Sequence, residues 1–157
     1  AYYALTFEAI GSHRGVVNQM IGDGLMAIFG APSPLDDAPM AAVQAALEMQ
    51  QMLDQFNQER AVLHKPPVRI GVGIASGEVI AGYTGTQQRA TYTCIGDTVN
   101  LAARLEAHTK EAQRGILVDA ETREALGDRV AVEELGEVQF RGKAAAVGVF
   151  AVKVFRA

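Results

Sequence analysis

With 157 residues, 49% of them apolar, the chain is sized for one compact α/β domain with a genuine core. Its net charge is only -4 and its 14 Lys and Arg are scattered, with no basic run to neutralise a nucleic-acid backbone, so no nucleic-acid partner is expected. The one cysteine, Cys94, cannot close an internal disulfide, and no stretch approaches the about 18 continuous apolar residues of a membrane span, which predicts a reduced, cytoplasmic setting without direct membrane contact from this segment.

Taken in chain order, residues Tyr2 to Ile10 are predicted as the end of a helix stopped by Gly11, with Leu5 and Phe7 available for burial. Two short β-prone runs, Val16 to Ile21 and Leu25 to Phe29, flank Gly22-Asp23-Gly24, a composition suited to a tight hairpin turn that would carry Asp23 at its tip. After a Pro-rich loop, Asp36 and Asp37 are placed to cap a helix with Pro39 in its first turn. Ala42, Ala46, Met49, Leu53 and Phe56 recur along it at spacings of a core-facing stripe.

Pro66-Pro67 ends that pattern. Val68, Ile70, Val72 and Ile74 then alternate with Arg69, Gly71 and Gly73, which predicts a strand with one flat face open to close approach by another element. Gly77 to Gly82 is expected to continue as a hairpin, Gly85 to Arg89 as a polar loop and Thr91 to Ile95 as a strand. Gly96-Asp97-Thr98 opens a helix to about His108, with Asp97 as its N-cap. The remainder alternates: a strand at Ile116 to Val118, a short helix from Asp119 to Leu126, and strands near Val130 to Leu135 and Val147 to Phe155.

Several side chains have chemistry to offer. A carboxylate on a Gly-bracketed hairpin tip, as at Asp23, can reach a hard divalent cation, although turn geometry alone also selects Asp. Asn100 and Arg104, four apart, share one helix face and combine a neutral hydrogen-bonding amide with a fixed cation, suited to a sugar and a phosphate; a solvated face would carry the same pair. Arg141 and Lys143 are cations that either fold over an anion or decorate a loop. His13, His64 and His108 lie in no zinc spacing and beside no Ser or Cys nucleophile, and are assigned to surface or capping roles. No P-loop and no dinucleotide fingerprint occurs, so ATPase and dehydrogenase readings have no support.

The blocks Met20-Ile21-Gly22-Asp23-Gly24-Leu25-Met26-Ala27-Ile28-Phe29-Gly30 and Tyr92-Thr93-Cys94-Ile95-Gly96-Asp97-Thr98-Val99-Asn100-Leu101-Ala102-Ala103-Arg104-Leu105-Glu106 resemble the two signature blocks of class III adenylyl and guanylyl cyclases. Between them Val72-Gly73-Ile74-Ala75-Ser76-Gly77-Glu78 is similar to the family's central strand and turn. Three blocks in the right order span nearly the whole chain.

The resemblance implies a ferredoxin-like α/β (α+β) core, an antiparallel-rich sheet with flanking helices, and a head-to-tail homodimer whose active sites form between subunits. It implies two Mg2+ or Mn2+ ions per site. Asp23 matches the second of two metal carboxylates, Asn100 the residue that orients the ribose, Arg104 the cation on the phosphates and Lys143 a late phosphate-binding lysine. Gln19 and Thr93 match the base-reading pair. Thr93 fits an adenine reader and Gln19 can both donate and accept, so ATP is the expected substrate and cyclic AMP the product.

Two other readings accompany this one: a guanylyl cyclase acting on GTP, motivated by Gln19, and a catalytically silent cyclase-like module that dimerises and relays a signal. The latter is motivated by the family's first metal carboxylate, which belongs on an opening strand not found here. Residues 1–157 are accordingly expected to form a single cyclase catalytic domain lacking its first strand and part of its first helix, with a sensor domain upstream in the full protein.

Overall fold

The computed structural model describes residues 2–21, 24–31, 33–78, 80–84, 91–141 and 145–154, and of residues 2, 3, 19, 21, 80–84 and 91–95 the backbone alone. Helix α1 (Tyr2–Ser12) runs past the expected stop at Gly11, and Ser12 Oγ donates back to the Glu8 carbonyl at 2.8 Å. Leu5, Ala9 and Ile10 are buried against Met49 of the next helix, whereas Phe7, expected to be available for burial, is 44% exposed. Strands β1 (Val16–Ile21) and β2 (Gly24–Ile28) form the predicted antiparallel ribbon, paired through to Ile21 opposite Gly24.

Helix α2 (Ala38–Val62) starts with proline in its first turn, as expected. Its stripe buries Ala46, Met49 and Leu53 together with Val43, Ala45 and Gln50, because residues three and four apart meet on one face. Asp37 occupies the N-cap position, but its side chain makes no capping bond and its backbone is left-handed at φ 55. Its carboxylate is instead gripped by the Arg129 guanidinium, whose hydrogen bond holds the Asp37 pKa below the usual carboxylate range and raises that of Arg129.

The predicted strand from Val68 narrows to β3 (Val72–Ile74). Before it, side chains of α2 take the hydrogen bonds a ladder would have taken. Asn57 Nδ2 donates to the Val68 carbonyl and Asn57 Oδ1 accepts from the Val68 amide, both at 2.8 Å, and Gln50 Nε2 donates to the Ile70 carbonyl at 3.0 Å. Replacing Asn57 by alanine strands both backbone groups of a half-buried residue, and about 1–3 kcal/mol of stability should be lost in urea denaturation.

Strands β4 (Ile80–Thr84) and β5 (Thr91–Ile95) pair antiparallel, with Thr93 opposite Gly82 and Cys94 opposite Ala81. Helix α3 (Asp97–Ala112) follows at once and is a turn longer than expected. Then come β6 (Ile116–Asp119), α4 (Ala120–Leu126), β7 (Val132–Val138) and β8 (Val147–Val152). Asp119 caps α4 by accepting from the Thr122 amide at 3.0 Å, matching the predicted helix start.

The main sheet has the order β3-β6-β8-β7, parallel between β3 and β6 and antiparallel elsewhere. All four residues of β6 are buried, as befits a strand with both faces covered. One face packs Ile74, Ile116 and Val118 on Val43 and Ala46 of α2 and Leu126 of α4. The other packs Leu117, Val149 and Ala151 on Leu101 and Leu105 of α3. The mixed α/β architecture, with an antiparallel-rich sheet between helices, agrees with the sequence expectation.

Candidate functional site

Helix α3 presents two neighbouring stripes. Leu101, Leu105 and Thr109 are buried on the sheet. One residue before each lie Asn100, Arg104 and His108, a line rotated about 100° toward solvent. Asn100 is exposed and Arg104 half-exposed, and among the described residues neither side chain has a hydrogen-bond or ion-pair partner. The sequence expectation that amide and cation share one face therefore holds, and both are uncommitted.

The start of α3 is set by its surroundings. Gly96, with φ 141, stands at the N-cap, so Asp97 is the first residue of the helix, not the expected cap. Thr98 Oγ1 donates to the Glu78 carbonyl at 3.0 Å, tying the first turn to the loop after β3. That loop is anchored in turn by a 2.6 Å hydrogen bond between Ser76 Oγ and Thr122 Oγ1. Across the helix, Gly73 of β3 brings its backbone against those of Ala102 and Glu106.

Strand β5 runs directly into α3, so Thr93 and Asn100 belong to one continuous strand-turn-helix unit. The backbones of β1 and β5 lie against each other, which brings the strands of Gln19 and Thr93 together. An irregularity in β1 falls between Val17 and Gln19. Asn18, located there, has both amide atoms buried without a partner among the described residues, leaving an unpaired donor and acceptor on the strand that carries Gln19. Asp23 and Lys143 lie outside the described residues, as do the side chains of Gln19 and Thr93.

No three His, Cys, Asp or Glu side chains among the described residues are grouped to hold a metal ion. Asp23, which the sequence offers for Mg2+ or Mn2+, is a hard oxygen ligand of the type such ions select. No described helix is long and apolar enough to cross a membrane.

His108, assigned from the sequence to a surface or capping role, is partly buried. Its ring meets that of Phe140 edge-on, with centroids 5.6 Å apart and planes at 90°, and its Nδ1 lies 3.3 Å from Glu111 Oε2.

Comparison with known proteins decides the family. The adenylate and guanylate cyclase catalytic domain model matches residues 6–153. The chain belongs to that family. This cyclase domain is 30% identical over 151 residues to Adenylate cyclase 1 of Rhizobium meliloti, an alignment covering 96% of the chain and 23% of the relative. It therefore spans about a quarter of that relative's length. Among solved structures it is similar to the guanylyl cyclase Cya2, with a TM-score of 0.86 and 35% identity over 98% of this chain and 77% of the other. The adenylyl cyclase CyaB from P. aeruginosa gives a TM-score of 0.84 at 27% identity, over 99% of this chain and 80% of the other. The cyclase domain has the α/β architecture of these class III catalytic domains.

Proposed function

We propose that this cyclase domain converts ATP to 3′,5′-cyclic AMP and pyrophosphate, at sites completed between two copies of the chain. The observation that carries this reading is the Asn100 and Arg104 pair, an amide and a guanidinium one helical turn apart with no partners of their own among the described residues. A structural ion pair or cap would have consumed them. Left free on a helix pinned at its first turn and along its buried stripe, they can be held rigidly toward a ligand.

In the reaction the ribose 3′-hydroxyl attacks the α-phosphorus, the bond from the 3′-oxygen to phosphorus forms as the hydroxyl proton passes to solvent, and the bond to the pyrophosphate leaving group breaks. Asn100 would orient the ribose through its amide. Arg104 would take up charge developing on the phosphate oxygens through its planar fork of donors. Gln19 and Thr93, on adjacent strands, would read the purine edge, and Lys143 would add a second phosphate contact. Mg2+ or Mn2+, held by Asp23, supplies charge neutralisation at the phosphates when bound.

The proposed partner is a second copy. Met20 is 49% exposed on β1, next in sequence to Gln19, an apolar side chain that a second copy would cover. Replacing Met20 by lysine should shift the protein toward monomer in sedimentation and lower cyclase activity in parallel, with little change in the stability of the isolated subunit.

The direct test is incubation of the full protein with ATP and Mn2+. Formation of cyclic AMP is expected, and its absence would remove the reading. ATP is preferred because the Rhizobium meliloti and P. aeruginosa relatives are named adenylate or adenylyl cyclases. The likeness to the guanylyl cyclase Cya2 supports GTP as the second reading. Side-by-side assays of the two nucleotides separate them.

A further inference from the structure

We propose that His108 is a positioning residue, tying the start of the Arg141 to Lys143 stretch to the helix face that carries Asn100 and Arg104. The inference rests on the cyclase reading above, in which Lys143 is a phosphate contact, and concerns how the chain leading to it is anchored.

His108 continues the line of Asn100 and Arg104 by one further turn, about 6 Å along the helix. Its side chain is 16% exposed. The burial comes with Phe140, which presents a perpendicular ring at 5.6 Å and also packs on the cluster of Leu101, Leu105 and Leu117. Phe140 is thus fastened both to the core and to the exposed line of α3. The next residue, Arg141, is exposed, and Lys143 follows two positions later. Leaving β7, the chain must pass this ring pair before it reaches either cation.

The geometry gives the pair leverage. Backbone adjoining a fixed ring is restrained, whereas an untethered loop samples many positions and a cation on it spends little time at the phosphates. Glu111 Oε2 lies 3.3 Å from Nδ1 and is itself exposed. His108 itself need not touch the nucleotide, since its action on the reaction would pass through Phe140.

The test compares the full wild-type protein with His108→Ala and His108→Phe. The second variant keeps an aromatic edge for Phe140 and gives up the link to Glu111. In trypsin digestion followed by mass spectrometry, cleavage after Arg141 should accelerate in His108→Ala by up to about tenfold, the range a ring pair of this kind can shift a local equilibrium, and return toward wild type in His108→Phe. Under native conditions, kcat for cyclic AMP formation should fall by up to about tenfold in His108→Ala, with KM for ATP changing less, and recover in His108→Phe. Urea midpoints should show both variants folded under assay conditions.

An unchanged cleavage rate would show that the rings anchor nothing and would overturn the proposal. So would faster cleavage with undiminished kcat, which is the result for a purely structural contact. A wild-type protein that makes no cyclic nucleotide from ATP or GTP would instead overturn the cyclase reading, and the positioning role with it.

Discussion

Replacing Arg104 by alanine is expected to lower kcat by about two to three powers of ten, the effect of removing one preorganised donor from a transition state that accumulates charge, or about 3–4 kcal/mol. The fold should barely register the change. Arg104 is half-exposed and without a hydrogen-bond or ion-pair partner among the described residues, and surface substitutions of this type cost within about 0.5 kcal/mol. Cyclic AMP formation measured beside a urea midpoint separates the two effects, and a midpoint that falls with activity would mark Arg104 as structural. A mixing experiment adds a sharper arm. If Asp23 of one subunit works with Arg104 of the other, Asp23→Ala and Arg104→Ala proteins are each nearly inactive alone. In an equal mixture half the dimers are mixed and each regains one intact site, so activity should return to about a quarter of wild type. No recovery despite subunit exchange would mean that both residues serve the same site from one chain.

Much of this organisation was legible because local signals and tertiary context agreed. The β1 and β2 ribbon, the buried stripe of α2 and the strand-turn-helix unit around Gly96 follow from turn chemistry and periodicity that the packing then uses. The misses have one physical source, partners distant in sequence. Asp37 stands where an N-cap should be, yet Arg129, 92 residues further on, takes its carboxylate. The alternation from Val68 promised a strand, but Asn57 and Gln50 of α2 satisfy that backbone before any neighbouring strand can. Phe7 had the hydrophobicity for burial and lies on the wrong side of α1 to receive it. His108 matched no ligand spacing, and its edge-on contact with Phe140, 32 residues further on, is visible only in the fold. Of the candidate site, sequence spacing alone put Asn100 and Arg104 on one face. That neither has a partner among the described residues is a property of the folded chain.

The flat face predicted at Gly71 and Gly73 leads to the largest expected effect on stability, from Gly73→Ala. A Cβ at residue 73 would lie 2.3 Å from the Glu106 nitrogen and 2.4 Å from the Ala102 oxygen, both backbone atoms of α3 that no rotamer change can move. The helix would have to retreat by roughly 1 Å to restore normal contact, opening the seam in which Leu101 and Leu105 meet Leu117, Val149 and Ala151. Overpacking of this kind costs about 1–3 kcal/mol and sometimes more, a large share of the about 5–15 kcal/mol that holds a domain together. Because Asn100 and Arg104 ride on the displaced helix, surviving folded protein should also lose kcat. Gly71→Ala supplies the contrast. Its Cβ would meet the Thr109 side chain, with Oγ1 at 2.1 Å, so trimming the neighbour with Thr109→Ala should recover most of the loss in a double-mutant cycle. No side-chain truncation on α3 should rescue Gly73→Ala, since the obstacle there is the helix backbone itself.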